Sequence, residues 1–125
     1  MLKEENPMVP RALVVQSRPD VARAVSASLA DAEVHAVVLS DGHGAVSAVA
    51  TWEPHVVLID LTLPPLDGWY VLAAVGALAD RPLLVVRVTD ASQVDRAVAL
   101  GADAWVDDDV HVVAAAGRLA VAIAA

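Results

Sequence analysis

The chain has 125 residues, with 16 acidic and 8 basic side chains and a net charge of −8. This length suits one domain with its own hydrophobic core. The excess of acid argues against direct binding to nucleic acid, which requires a basic surface. The chain contains no cysteine, which excludes disulfides and thiolate metal sites. Neither a signal peptide nor a membrane-spanning run is recognisable, so a soluble cytoplasmic domain without membrane contact is expected.

Short apolar runs alternate with helical patterns along the chain. Apolar residues make up 58% of the sequence and phenylalanine is absent, so we expect a core of Val, Leu, Ala and Ile. Residues 1–9 are expected to be a disordered lead-in to a single domain at 10–125. The predicted strands are 11–15, 34–39, 56–60, 82–86 and 104–106, and the predicted helices start at Pro19, after Gly42, at Trp69, at Asp90 and at Val110.

The order of these elements is strand–helix, repeated five times. Strands that alternate with helices predict a parallel sheet covered on both faces. Asp90 and Gln93 have the spacing of a capping box at the start of the fourth helix, and Gly101 is expected to end that helix. The third helix is expected to run over 69–79.

The third strand has the strongest signal. Its apolar residues, 56–59, are typical of a strand buried on both faces in a parallel sheet. Asp60 follows them directly, at the carboxyl end of the strand, where open α/β folds bind their ligands. Pro64 and Pro65 then impose a loop. Asp60 is therefore predicted to be the centre of a site.

Several motifs occur in register along the chain. They are Asp60-x-x-x-Pro64-x-x-Asp67-Gly68, Pro19 at the first helix start, Asp41-Gly42 before the second helix, Pro82 at the fourth strand and Gly101-Ala102-Asp103 before the fifth. Together they resemble the motifs of response-regulator receiver domains, the phosphoacceptor modules of two-component signalling. The resemblance covers about 11–124. It implies a flavodoxin-like (βα)5 fold, a doubly wound parallel five-stranded sheet of order 2-1-3-4-5 in a three-layer α/β/α arrangement.

The resemblance also implies a chemistry, in which a carboxylate attacks a phosphoryl group whose charge must be neutralised. Receivers achieve this with a magnesium ion held by the acceptor and an acidic pair, together with a Thr or Ser and a Lys. Here the phosphoacceptor-equivalent residue is Asp60. The acidic pair is replaced by Gln16 and Ser17, the Thr/Ser by Arg87, the small residue beside it by Val88, and the Lys by Asp108.

These replacements change the charge around Asp60. Magnesium requires an octahedron of oxygen ligands, so losing two carboxylates and gaining a guanidinium is expected to make its binding weak or absent. No other cofactor or metal is expected, and neither is an enzymatic activity. Our hypothesis is that Arg87 pairs with Asp60, and also with Asp108. Such pairing would hold the segment after the fourth strand in one conformation, where the family switches between two.

Two further features have two interpretations each. Trp105 occupies the position of an aromatic residue that changes rotamer when receivers are activated, so it is either a switch or a fixed cover of its face. Residues 107–109 with His111 carry possible metal ligands, but an acidic cap on the last helix explains them more simply.

The last helix is predicted to have an unusually apolar outer face. Its stripe toward the sheet leaves small apolar residues toward solvent, where a monomer normally carries Lys and Glu. Close packing against a partner or a second copy is therefore expected, most simply as a homodimer. The predicted interface residues include Val112, Val113, Gly117 and Val121.

Together these inferences predict an atypical receiver domain that signals by protein–protein contact without conventional phosphorylation. Its expected partner is a histidine kinase, an output domain or an effector. Two alternatives remain open. In the first, Asp60 is still phosphorylated by a histidine kinase or small phosphodonor, with Arg87 acting in place of the metal and the Lys. In the second, the chain is a flavodoxin-like domain that binds a small ligand.

Overall fold

A computed structural model describes residues 9–62 and 67–107. Within them, a 3-10 turn at Ala91–Gln93 leads directly into the last described helix. Of the helices in the described part, none is long and apolar enough to span a membrane. The strands are β1 (Arg11–Val15), β2 (His35–Leu39), β3 (Val56–Asp60), β4 (Leu83–Arg87) and β5 (Ala104–Val106), and the helices are α1 (Pro19–Asp31), α2 (Ala45–Trp52), α3 (Asp67–Gly76) and α4 (Val94–Ala99).

The five strands form one sheet in the order β2-β1-β3-β4-β5. Every neighbouring pair is parallel, which confirms the predicted fold class. Parallel strands need crossover connections, and the helices between successive strands supply them. The four apolar residues of β3 are buried, as their uninterrupted run predicted, and Asp60 is buried with them rather than emerging from the edge of the sheet.

Two apolar clusters fill the space on the two faces of the sheet. The first contains Leu13, Ile59 and Leu84 of the sheet, together with Leu72 of α3. The second contains Val14, Leu58 and Val85, which point to the opposite face, together with residues of α1. Removing one such Leu or Val side chain from water contributes about 1.5–3 kcal/mol, so the sheet is a rigid support for whatever lies at its edge.

The strand register determines which side chains meet at the carboxyl edge of the sheet. Asp60 pairs with Arg87 across β3 and β4. Val15 pairs with Ile59 across β1 and β3, so Gln16, the residue that follows β1, lies level with Asp60. Residues at the same level of neighbouring parallel strands point to the same face. The three side chains are therefore brought together by the sheet itself.

The helix ends differ in detail from the prediction. Helix α3 occupies Asp67–Gly76 rather than 69–79, because the chain turns after Gly76, with the Leu78 N–H donating to the Val75 carbonyl at 3.1 Å. The predicted strand at 34–39 begins at His35, and the one at 82–86 is Leu83–Arg87. Both shifts are of one residue, which is the usual uncertainty of element ends.

The predicted capping box before α4, in which the side chains of Asp90 and Gln93 bond to each other's backbone, is wrong. Asp90 does accept a hydrogen bond from the Ser92 N–H at 2.9 Å. Gln93, however, accepts from the Thr89 N–H at 2.7 Å and from the Thr89 hydroxyl at 2.8 Å, not from Asp90. The 3-10 turn tightens the helix start and shifts the bonding by one residue. Gly101 ends the helix as predicted, with a φ of 116°.

An ion pair connects the residue before β5 to the start of β4. Arg81 donates from Nη1 and Nη2 to the two oxygens of Asp103, at 2.8 and 3.2 Å. The Leu84 N–H also donates to Asp103 Oδ2, at 2.8 Å. The hydrogen bond from Arg81 is the main reason that the pKa of Asp103 is lowered, followed by a smaller opposing effect of burial.

Replacing Asp103 with Asn is expected to lower the free energy of unfolding at neutral pH by at most ~1 kcal/mol, because the pair is partly exposed and screened by solvent. An acid with a lowered pKa in the folded state stabilises above its unfolded pKa, near ~3.9, and loses that contribution as the pH falls through its folded value. Urea unfolding of the native chain and of Asp103→Asn should therefore show a difference in the free energy of unfolding that is smaller at pH 3 than at pH 7. The exposed Asp80→Asn is the control, and equal effects of the two variants would contradict the prediction.

Candidate functional site

The centre of the carboxyl edge is the buried carboxylate of Asp60, which is only 3% exposed. Gln16 Nε2 donates to its Oδ2 at 2.9 Å. The Thr62 N–H donates to its Oδ1 at 2.8 Å, and the Thr62 hydroxyl donates to the same oxygen at 2.5 Å. Burial would penalise the carboxylate unless donors satisfied it. Each oxygen has at least one donor, so the carboxylate is held in a fixed orientation.

Two guanidinium groups flank this carboxylate, one on each oxygen. Arg18 Nη2 lies 3.7 Å from Oδ2, and Arg87 Nη1 lies 3.8 Å from Oδ1. The Arg18 side chain is 42% exposed and the Arg87 side chain 17% exposed. The predicted pairing of Arg87 with Asp60 is therefore present, and a second cation, Arg18, which was not predicted, joins it.

The amide of Gln16 connects the two sides of this arrangement. Its Oε1 accepts a hydrogen bond from the Arg18 N–H at 3.1 Å, while its Nε2 donates to Asp60. Only one orientation of the amide satisfies both partners, because oxygen accepts and nitrogen donates. Gln16 is itself 4% exposed. An amide thus stands at a position where the family resemblance implies an acid.

The segment after β4 is tied to the same site. Arg87 Nη1 donates a long hydrogen bond to the Thr62 hydroxyl at 3.5 Å. Val88 is buried, and its N–H donates to the Val106 carbonyl at 2.9 Å. Thr89 is bonded to Gln93, so backbone and side-chain bonds follow one another from Arg87 into the turn before α4.

The remaining predicted residues fall into two groups. Ser17 is exposed beside Gln16, and Trp105 is 49% exposed in β5, which leaves its two interpretations open. Among residues 9–62 and 67–107, no three His, Asp or Glu side chains come together as a metal site. The predicted pairing of Asp108, the acidic cap with His111 and the interface at Val112, Val113, Gly117 and Val121 lie outside the described residues and stay predictions.

Sequence reasoning missed two contributors to the site, Arg18 and Thr62. A signal existed for each. Arg18 lies just after β1 and directly before the Pro19 helix start, so it belongs to the same edge as Asp60. Thr62 is two residues after Asp60, the spacing at which an Asp side chain commonly accepts from the backbone N–H. Neither spacing tells which way the side chain points.

Comparisons with known proteins agree on one family. The family model described as response regulator receiver domain matches residues 12–119. The transcriptional regulatory protein KdpE, from two strains of Mycobacterium tuberculosis, is 34% identical over 95 residues, which is 75% of this chain. Those residues are 42% of KdpE, so the chain spans less than half the length of the curated relatives it matches.

Solved structures give the same result for the fold. A response regulator signal receiver domain from Bermanella marisrubri is 26% identical with a TM-score of 0.75, covering 89% of this chain and 98% of that one. The receiver domain of the Francisella response regulator 1452 has a TM-score of 0.76 at 17% identity, covering 90% of this chain and 98% of that one. At the lower identity the likeness concerns the fold alone.

Proposed function

Because the chain belongs to the response regulator receiver domain family, we propose that it serves two-component signalling as an atypical receiver, which acts through protein–protein contact without conventional phosphorylation of Asp60. One observation carries this proposal. The carboxylate that would attack the phosphoryl group is buried, bonded to Gln16 and Thr62, and flanked by Arg18 and Arg87. A nucleophile in that state is poorly available to a phosphodonor.

The residues around Asp60 do not fit the magnesium ion that the family resemblance implies. Magnesium takes oxygen ligands in near-octahedral geometry and parts with water reluctantly. Here Asp60 supplies a carboxylate whose oxygens are approached within 4 Å by two guanidinium groups. The carbonyl oxygen of Gln16 already accepts from the Arg18 N–H. Fixed cations thus neutralise the charge that a metal ion would otherwise neutralise, and no step of the proposal involves a metal.

The contacts of Arg87 suggest how such a receiver would signal. Arg87 joins the end of β4 to Asp60 and Thr62, and the bonds from Val88 to Gln93 continue this connection to the start of α4. A two-state element shifts only when an input binds its two states differently. With the cations built into the chain, we propose that the segment after β4 rests in one conformation and presents a constant surface to partners.

The partners belong to the same proposal. Such a surface would contact another signalling protein, which is a histidine kinase, an output domain or an effector. The name of the KdpE relatives states transcriptional regulation, but the matched region is 42% of their length. We therefore propose for this chain the contact function of a receiver, with the homodimer predicted through its last helix as one form of that contact.

The test is intact-mass analysis after incubation with acetyl phosphate, with and without magnesium. We expect no acyl phosphate on Asp60, which hydroxylamine would reveal because it cleaves acyl phosphates and spares phosphate esters. We also expect magnesium to leave the melting temperature unchanged, since an ion that binds the folded state would raise it.

A variant that restores the family residues is the matched control. Gln16→Asp, Ser17→Asp and Arg87→Thr together return the acidic pair and the hydroxyl, and remove one cation. This variant is expected to gain magnesium-dependent stabilisation and some acyl phosphate, which Asp60→Ala in the same background would remove. If the unmodified chain forms a hydroxylamine-labile phosphate on Asp60, the proposal is wrong, and the alternative applies in which Asp60 is still phosphorylated, with Arg87 acting in place of the metal and the Lys.

A further inference from the structure

We propose that the hydroxyl of Thr62 is a phosphoacceptor in this site, and that it takes the phosphoryl group which Asp60 is not available to accept. This inference rests on the proposed function, because it starts from an occluded Asp60. It adds a modification site at a residue that the family pattern does not use. The inference follows from the position of the Thr62 hydroxyl relative to a buried base, a cation and solvent.

Thr62 and Asp60 differ sharply in exposure although their oxygens touch. Asp60 is 3% exposed, whereas Thr62 is exposed. The Thr62 Oγ1 lies 2.5 Å from Asp60 Oδ1. Of the two side chains, Thr62 is therefore the more accessible to a donor at this edge of the sheet.

The surroundings of that hydroxyl suit phosphoryl transfer. A positioned carboxylate within hydrogen-bond reach can accept the proton of an attacking hydroxyl. Asp60 Oδ1 is such an acceptor, and the Thr62 N–H donates to the same atom, which fixes its orientation. Arg87 Nη1 lies 3.5 Å from Oγ1. A guanidinium at that distance can bind phosphate oxygens and neutralise the charge of the transferring group.

The donor belongs to the class of activated phosphoryl compounds, either a phosphohistidine on a partner protein or a small acyl phosphate. Thr62 Oγ1 attacks phosphorus and forms a P–O bond. The P–N bond of the phosphohistidine, or the P–O bond to the acyl group, breaks and its electrons leave with the imidazole or the carboxylate. The hydroxyl proton passes to Asp60 and from there to solvent, and a departing imidazole nitrogen takes up a proton from solvent. The product is a phosphate ester, which is more stable in water than an acyl phosphate and gives a lasting modification.

The experiment uses the whole chain with two small donors, acetyl phosphate and phosphoramidate, which represent the acyl phosphate and the phosphohistidine. After incubation with magnesium, intact mass measures the added phosphoryl group, hydroxylamine treatment tests its lability, and peptide mapping locates it. We expect a hydroxylamine-stable phosphate on Thr62. Thr62→Val should remove it, Thr62→Ser should retain it, and Arg87→Gln should slow its formation about tenfold or more.

Thr51 provides the matched control. Its hydroxyl is exposed and donates to the Ser47 carbonyl at 3.0 Å rather than to a carboxylate, so Thr51→Val should leave the modification unchanged. Circular dichroism and melting temperature verify that each variant is folded, and Thr62→Ser keeps the test valid if Thr62→Val is unstable.

Each result decides between the two proposals. A stable phosphate on Thr62 supports both. The absence of any phosphate from both donors, or a stable phosphate on another residue that Thr62→Val leaves in place, overturns the inference and leaves the proposed function intact. A labile phosphate on Asp60 overturns both. A response to phosphoramidate alone would identify phosphohistidine as the donor type, and a response to acetyl phosphate alone would identify the acyl phosphate.

Discussion

Replacing Asp60 with Ala is expected to destabilise the folded domain by about 2–4 kcal/mol. The substitution leaves the Gln16 amide and the Thr62 N–H without the acceptor they have in the native chain. It also leaves Arg18 and Arg87 without the carboxylate they flank. The lower end of the range applies if Arg18 contributes little, because its side chain is 42% exposed and water can replace the lost carboxylate. Urea unfolding followed by tryptophan fluorescence measures the change.

The sign of this effect distinguishes two electrostatic arrangements. In a site where the acceptor sits among several carboxylates, removing one acid relieves like-charge repulsion and stabilises the fold. Among residues 9–62 and 67–107, the side chains that contact Asp60 supply an amide, a hydroxyl and two cations, so removal should destabilise. Asp80→Ala removes the same charge at an exposed position and should change stability by less than ~0.5 kcal/mol. An increase in stability for Asp60→Ala would show that the cations do not neutralise this carboxylate.

Replacing Gly76 with Ala is expected to cost about 3 kcal/mol or more, and to lower the yield of folded protein, because the position is already filled. A Cβ on Gly76 would lie 1.9 Å from the Leu100 carbonyl oxygen and 3.1 Å from the Leu100 carbonyl carbon. Both obstacles are backbone, which cannot rotate away as a side chain can. The end of α3 and the end of α4 would have to separate. Thermal and urea unfolding measure the loss.

Gly44→Ala is the control for this prediction. Gly44 has a φ of 94°, and a Cβ added to it would meet no atom within 4 Å. Ala there therefore suffers backbone strain of about 1 kcal/mol without a steric clash. A loss at Gly76 no larger than that at Gly44 would contradict the close approach of α3 to the Leu100–Gly101 turn.

The same close contact shows what sequence periodicity could not provide. Gly76 reads as an ordinary helix residue within the predicted 69–79 pattern, and Gly101 reads as a helix end. Their mutual approach depends on how two helices separated along the chain pack onto one sheet. The helix pattern reports which side faces the core, but it carries no information about which residue of another helix lies opposite.

The sequence by itself determined the fold class, the order of the strands through the family resemblance, and the place of Asp60. The fold class and the place of Asp60 follow from signals that are local or periodic, such as the alternation of strands with helices and the apolar run of β3, whereas the strand order came from the resemblance alone. The strand-end position of Arg87, level with Asp60, was also within reach, because parallel strands end at a common edge.

The tertiary structure alone decided how Asp60 is held. The contacts of Gln16, Arg18 and Thr62 with its carboxylate depend on side-chain rotamers and on the path of the loops after β1 and β3. A polar side chain in a loop can form hydrogen bonds with several different groups, and the sequence does not tell which of them lies nearby. Burial selects the partner, because an unsatisfied polar group inside the fold is costly. Thus Gln16, at a position where the family resemblance implies an acid, is in the folded chain one of the donors that hold the Asp60 carboxylate.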